Sequence, residues 1–227
     1  MKKKILYLYK KDCAYSLKLL NLIKKKFNVF FFNDIKFKSF LILNPKLKFD
    51  FIVSFRNQYI LNKNTLKKAK IAAINFHPST PKYRGIGCIN FALFNNEKYF
   101  GCTAHLMDEK IDHGKIISVN LFKIDKNMNL DQIYKKTIRT MFYQAKKIIN
   151  KIKSNNNYLT TYVKDKKLKW SKKIYSRKDL NNLYNININI SKSNLRKILK
   201  STVTKNFKPY IKLHDYKFYI NNSKNEF

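Results

Sequence analysis

A chain of 227 residues, 44% of them hydrophobic, is long enough for one well-cored domain with a smaller appendage. No uninterrupted apolar run approaches the roughly 20 residues that a membrane-spanning helix needs. Cys13, Cys88 and Cys102 are too few and too scattered for a disulfide framework or a zinc site, so the expectation is buried thiols in a reducing compartment. The formal charge of +36 admits two origins. Arginine is confined to Arg56, Arg84, Arg139, Arg177 and Arg196, while lysine runs through every segment beside many asparagines and isoleucines. AT-rich coding produces that composition, and a polyanion partner selects for it. Either way the surface field attracts anionic substrates.

The opening Met1–Tyr9 has an apolar run too short for a signal peptide and no small-residue cleavage site, so it reads as a first strand from Lys4 to Tyr9 in a cytoplasmic protein. Tyr15 to Phe27 has helical spacing, with Leu17, Leu20, Ile23 and Phe27 on one face. Val29 to Phe32 and Phe49 to Phe55 read as strands, and residues 33–48 are ambiguous because Pro45 breaks the pattern. Asn62 and Asn64 are candidate caps for a short helix carrying Leu66 and Ala69. Ile71 to Ile74 is a buried strand leading into Asn75-Phe76-His77-Pro78-Ser79. Residues 81–87 form a loop holding two of the four glycines. Ile89 to Asn95 reads as a helix, Tyr99 to Met107 as a strand, Asp112-His113-Gly114 as a turn and Ile116 to Phe122 as a strand. Asn129 to Lys153 is a long amphipathic helix, and the polar run 154–157 closes a first domain, 1–154.

The extension, 155–227, reads as an extended stretch from Leu159 to Trp170, short helices at Asp179–Tyr184 and Ser193–Leu199, and a hairpin. Its strands are Lys208–Leu213 and Tyr216–Ile220 around His214-Asp215. The run 185–190 alternates as a strand does, or merely reflects composition. Strands alternating with helices imply an α/β fold, a doubly wound and mostly parallel sheet covered on both faces.

Asn75 and His77 are two apart on extended backbone, so they share a side, and Pro78 stops the strand there. In open α/β sheets ligands bind beyond the carboxyl ends of strands. Asp112, with Thr103 and His105 on the intervening strand, joins them in a polar cluster. Taken singly, each residue has an ordinary structural use: Asn75 as a turn cap, Asp112 as an Asx-turn, His77 as a satisfied loop histidine. His105, inside a strand, reads as structural, and His113 as a flanking residue. The spacing of the histidines gives no metal site.

Four ordered blocks make the cluster specific. Ile74-Asn75-Phe76-His77-Pro78-Ser79, Tyr83-Arg84-Gly85, Gly101-Cys102-Thr103-Ala104-His105 and Ile111-Asp112-His113-Gly114-Lys115-Ile116-Ile117 together resemble the core of the folate-dependent formyltransferases. The resemblance covers residues 49–120 strongly. It implies a Rossmann-like formyltransferase domain that moves a formyl group from 10-formyltetrahydrofolate, without a metal, to a primary amine. It also implies that Asn75, His77 and Asp112 are catalytic, with Asn75 donating to the developing oxyanion. Which of His77, Asp112 or a water takes the amine proton stays open. By the same resemblance Phe55, Tyr59, Ile60, Leu61 and Ile111 hold the pterin, which suits a flat, edge-polar ring. Arg84 and Tyr83 are candidates for the acceptor, with Arg84 alternatively a loop anchor.

Departures from the family pattern bear on the acceptor. Lys10–Tyr15 lacks the glycine-rich phosphate loop of the glycinamide ribonucleotide members. The extension is shorter than that of the methionyl-tRNA members, and Ser79-Thr80-Pro81 is one residue shorter than the equivalent stretch in both groups. The expectation is an anionic nucleotide-linked amino sugar, with Phe207 to Ile220 as a homodimer contact. Initiator methionyl-tRNA is the alternative acceptor, and a non-catalytic RNA-binding protein with a transferase fold is the alternative of a different class.

Overall fold

The computed structural model describes residues 2–155, 158–159 and 168–220. Its centre is a six-stranded sheet of order β2-β1-β3-β4-β6-β7. The strands are β1 (Lys4–Tyr9), β2 (Asn28–Phe32), β3 (Phe49–Phe55), β4 (Ala69–His77), β6 (Tyr99–Leu106) and β7 (Ile116–Lys123). Pairing is parallel from β2 through β4 and antiparallel at β4–β6 and β6–β7. Helices α1 (Ala14–Lys26), α2 (Lys36–Leu43), α3 (Lys63–Leu66), α4 (Cys88–Phe94) and α5 (Leu130–Ser154) intervene.

Strand alternation divides the core between the two faces. Ile5, Tyr7 and Tyr9 of β1 face the layer of α1 and α5, while Leu6 and Leu8 face Phe37 and Leu41 of α2. Helix α5 begins at a reciprocal capping box between Asn129 and Gln132. Its stripe Ile133, Ile138, Met141, Ala145, Ile148, Ile149 and Ile152 is buried as the spacing requires. A third cluster joins Tyr83, Phe91 and Phe100 to Leu183, Ile186 and Ile198 of the extension. The extension contains β8 (Ile174–Tyr175), α6 (Arg177–Tyr184), α7 (Lys192–Thr202) and the strands β9 (Tyr210–Leu213) and β10 (Tyr216–Tyr219). The last two form the expected antiparallel hairpin, with Tyr210 opposite Tyr219. Strand β8 pairs in parallel with β5 (Arg84–Gly85).

Several local readings are corrected. The ambiguous stretch contains α2, which stops at Leu43, two residues before Pro45. Asn62 does cap α3, accepting from Thr65 N–H, but Ala69 already belongs to β4, where it pairs with Phe49. Leu17 is 42% exposed and Leu19 is fully buried, because the inward face of α1 runs through Ser16, Leu19, Leu20 and Ile23. Ile71 is likewise 42% exposed, since only the second half of β4 lies under both helical layers. Leu159 is helical rather than extended, and residues 160–167 of that expected stretch lie outside the described residues. Of the alternating run 185–190 only Asn185 bridges, to Tyr210. All three cysteines are free and buried, and burial pushes the thiols of Cys88 and Cys102 up to about 12. Among the described residues no helix is long and apolar enough to cross a membrane.

Ile149 is fully buried between α5 and the sheet. Ile149→Ala is expected to destabilise the fold by roughly 2–5 kcal/mol, seen as a lower urea midpoint with an unchanged slope.

Candidate active site

The site lies where β4 ends and the sheet turns antiparallel. Asn75 sits directly opposite His105 on β6, and His77 opposite Thr103. Thr103 Oγ1 donates to the Ser79 carbonyl at 2.7 Å, which pins the turn after Pro78. Across the pair, Asn75 Nδ2 and His105 Nε2 are 3.1 Å apart. His105 Nδ1 lies 2.8 Å from the Leu106 carbonyl. A carbonyl only accepts, so Nδ1 carries the hydrogen and Nε2 is the bare nitrogen that accepts from the Asn75 amide. The second N–H of that amide has no partner in the protein among the described hydrogen bonds. Burial holds the His105 imidazole at about 4, far below its usual value, so it is neutral at physiological pH.

His77 is fixed from the other side. Its Nε2 is 2.9 Å from the Tyr83 carbonyl and must therefore donate there. Nδ1 then faces Asp112 Oδ1 at 3.3 Å. The other oxygen, Oδ2, accepts from Gly85 N–H at 3.0 Å. Asp112 takes a left-handed backbone (φ 44°), which short polar side chains tolerate better than most. Gly85 (φ 85°) has no such choice, since a Cβ there would lie 2.3 Å from the Tyr175 carbonyl. The extension thus presses on the loop that delivers the N–H to Asp112.

The catalytic candidates Asn75, His77 and Asp112 are therefore brought together, with His105 3.9 Å from Asp112 Oδ1. A cavity of about 160 Å³ opens beside them, lined by Asn75, His105 and Asp112 and by Ser54, Tyr59, Ile60, Leu61, Met107 and Ile111. His77 lies behind Asp112 and does not line it. Four of the five pterin candidates, Tyr59, Ile60, Leu61 and Ile111, are on its wall. Phe55 is not: it is fully buried in the core, 6.0 Å from Phe76, because its position on β3 points under the sheet.

Arg84 and Tyr83 also turn inward. Arg84 is 5% exposed, and its Nη atoms donate to the carbonyls of Ser171 (2.9 Å) and Ile111 (2.8 Å). That is the loop-anchor alternative, not a phosphate contact. Tyr83 is 1% exposed; its hydroxyl donates to Glu97 at 2.7 Å and accepts from Asn95. Burial works against the Glu97 carboxylate, but hydrogen bonds from Lys82 and Tyr83 hold it below its usual range. Beside the cavity, His113 Nδ1 lies 2.6 Å from Asp108, keeping the flanking loop tied. Among the described residues no group of three or more His, Cys, Asp or Glu is arranged to hold a metal ion.

Two residues that touch the site are not marked by spacing. His105 read as structural, and its pairing with Asn75 depends on a strand register that spacing does not show. Trp170, the only tryptophan, stands in the sequence at the end of an expected extended stretch. Its indole N–H donates to the Gly114 carbonyl at 2.7 Å, and its ring lies edge-on to His105 (5.1 Å) and His77 (5.9 Å).

A doubly wound sheet with an amide, two imidazoles and a carboxylate at the mouth of its central strands places the chain in the class of α/β domains that bind a ligand at that crevice. Residues 42–149, just under half of the chain, match the formyl transferase family model. The chain is 33% identical over 177 residues to the bifunctional polymyxin resistance protein ArnA of Wigglesworthia glossinidia brevipalpis, covering 72% of this chain and 26% of that protein. It is 30% identical over 156 residues to the methionyl-tRNA formyltransferase of Clostridium tetani, covering 68% and 48%. The chain thus spans about a quarter and about half the length of these curated relatives. Among solved structures, a 4-N formyltransferase from Francisella tularensis superposes with TM-score 0.74 at 20% identity over 96% of both chains. An N-formyltransferase from Helicobacter canadensis, in complex with folinic acid and dTDP-3-aminofucose, gives 0.68 at 21% identity over 96% of this chain and 86% of that one. At these identities the structural matches establish the fold.

Arg84→Gln is expected to lower stability, since each orphaned buried carbonyl costs about 1–3 kcal/mol. A thermal melt checks this; an unchanged melting temperature with weakened binding of a phosphate-bearing ligand would return Arg84 to the substrate site.

Proposed function

We propose that this protein is a 10-formyltetrahydrofolate-dependent N-formyltransferase acting on the primary amine of a nucleotide-linked amino sugar. The observation that carries this reading is the unpartnered Asn75 N–H and the Asp112 carboxylate facing one cavity. Its volume is below the roughly 300–1,000 Å³ of a drug-sized pocket, which suits a single flat ring head with the rest of the folate outside. The Tyr59-Ile60-Leu61 wall and the main chain before Asp112 provide apolar faces and backbone polar groups for a pterin edge. The folate supplies the formyl carbon; the protein supplies orientation, a hydrogen bond and a proton path.

In that path Asn75 meets the negative charge that develops on the formyl oxygen, its amide held by the acceptor nitrogen of His105. Asp112 faces the cavity that the amine would enter and takes its proton as the new C–N bond forms. The bond from the formyl carbon to the folate nitrogen then breaks, and tetrahydrofolate leaves with a proton returned to that nitrogen. His77 Nδ1, 3.3 Å behind Asp112, receives or stabilises the proton taken from the amine, while Nε2 stays committed to the Tyr83 carbonyl. Residues 1–154 form the catalytic unit in this reading, and 155–227 an extension whose Trp170, Ser171 and Tyr175 close one side of the site.

The sugar acceptor is supported by structural neighbours of matching length, one of which holds an amino-sugar nucleotide. The charge of +36 suits an anionic acceptor in a reducing cytoplasm. The same charge and the similarity to methionyl-tRNA formyltransferase favour initiator methionyl-tRNA as the second reading. A panel assay decides between them: protein and 10-formyltetrahydrofolate are offered amino-sugar nucleotides, glycinamide ribonucleotide and charged initiator tRNA while tetrahydrofolate release is followed. Asn75→Ala is expected to cut turnover by about 10²–10³-fold with the fold intact. Salt-sensitive RNA binding with no turnover on any amine would instead support the non-catalytic reading.

The hairpin leaves Tyr216, Phe218 and Tyr219 more than half exposed, which fits the homodimer contact expected there. Replacing Tyr216 and Phe218 by Ser is expected to turn a dimer into a monomer in sedimentation equilibrium. A monomeric wild type ends that assignment.

A further inference from the structure

Trp170 belongs to the extension, outside residues 42–149, yet it is fastened to three parts of the site. Its indole N–H donates to the Gly114 carbonyl, two residues after Asp112. Ser171 N–H donates to the Pro81 carbonyl, and the Ser171 carbonyl accepts from Arg84 Nη1. The Arg84 guanidinium lies 5.9 Å from the Trp170 ring. The ring is thereby held edge-on against both imidazoles, closest to His105 at 5.1 Å.

Why the indole matters follows from the state of His105. Its Nε2 accepts from Asn75 only while that nitrogen is bare. Protonation would put a hydrogen on Nε2, facing the two hydrogens of the Asn75 amide. The amide would then rotate to offer its oxygen, withdrawing the N–H from the cavity. We infer that Trp170 is a positioning residue: by keeping water from His105 it keeps that imidazole an acceptor, and so keeps the Asn75 N–H aimed into the cavity. The inference rests on the formyl-transfer reading for its consequence, but not for its physical content.

The groups around His105 make the cover necessary. The Leu106 carbonyl and the Asp112 and Asp108 carboxylates all favour the charged ring, and only His77 joins burial in opposing it. Burial is the largest influence and prevails, holding the group at about 4. His105 is 2% exposed, and the indole is the aromatic surface lying against it. With water admitted, the ring returns toward the ordinary value of about 6.5.

The test is an imidazole NMR titration of the full chain, with Trp170→Ala and Trp170→Phe, each checked for fold by its amide spectrum. His105 is expected to titrate near 4 in the wild type and in the Phe variant, and to move toward about 6.5 in the Ala variant. Trp170→Leu replaces the Ala variant should that one not fold, with a shift in the same direction. For turnover, the ratio of Ala-variant to wild-type kcat is expected to fall about fourfold further between pH 8 and pH 6, because about three-quarters of a group titrating at 6.5 is protonated at pH 6. A merely structural loss would lower kcat by the same factor at both values. A His105 midpoint that stays put in the folded Ala or Leu variant overturns the inference. If His105 moves while the wild type formylates no amine, the positioning stands and the formyl-transfer reading falls.

Discussion

The structure depends on where the Asp112 carboxylate is held. One oxygen takes the Gly85 N–H and the other faces His77, so a single side chain ties the loop after β4 to the loop before β7. The two loops lie 27 residues apart in sequence, and holding them together costs backbone entropy that no local preference recovers. Asp112 accepts a left-handed backbone to do it, which is the kind of local cost expected at a functional site. Arg84 secures the same junction through the Ile111 carbonyl, which explains why a guanidinium is spent in a nearly closed interior.

Around that junction the two histidines are set in opposite ways. His77 gives its Nε2 hydrogen to a carbonyl and turns Nδ1 to a carboxylate. His105 gives its Nδ1 hydrogen to a carbonyl and turns Nε2 to an amide. Each backbone carbonyl selects a tautomer, and the tautomer decides what the other nitrogen can do. One ring is suited to work with a proton beside Asp112. In the other, burial excludes a second proton, and its bare Nε2 serves as a fixed acceptor. In the proposed formyl transfer, this separation assigns acid–base work and oxyanion stabilisation to different groups, although all lie within one polar cluster.

The core explains how so small a cluster stays rigid. Both faces of the sheet are covered, so β4 and β6 leave little freedom at the register that pairs Asn75 with His105. The extension adds a third apolar cluster under Tyr83, whose carbonyl orients His77. Residues outside the family-matched segment therefore set the geometry inside it.

Period and punctuation alone determined much of this protein. The buried stripe of α5, the strand at Phe49–Phe55, the hairpin at the end and the alternation of strand and helix are local properties, written in spacing. The meeting of Asn75, His77 and Asp112 was not written in spacing; it was legible only as what the resemblance of the ordered blocks to a family implies. Tertiary structure alone decided what depends on which chain segments meet. The inward turn of Arg84, the burial of Phe55, the exposure of Leu17 and Ile71, the Asn75–His105 pair and the arrival of Trp170 all follow from register and packing between distant segments. A side chain's hydrogen-bonding role is fixed by the atoms it faces, and a linear chain does not say which those are.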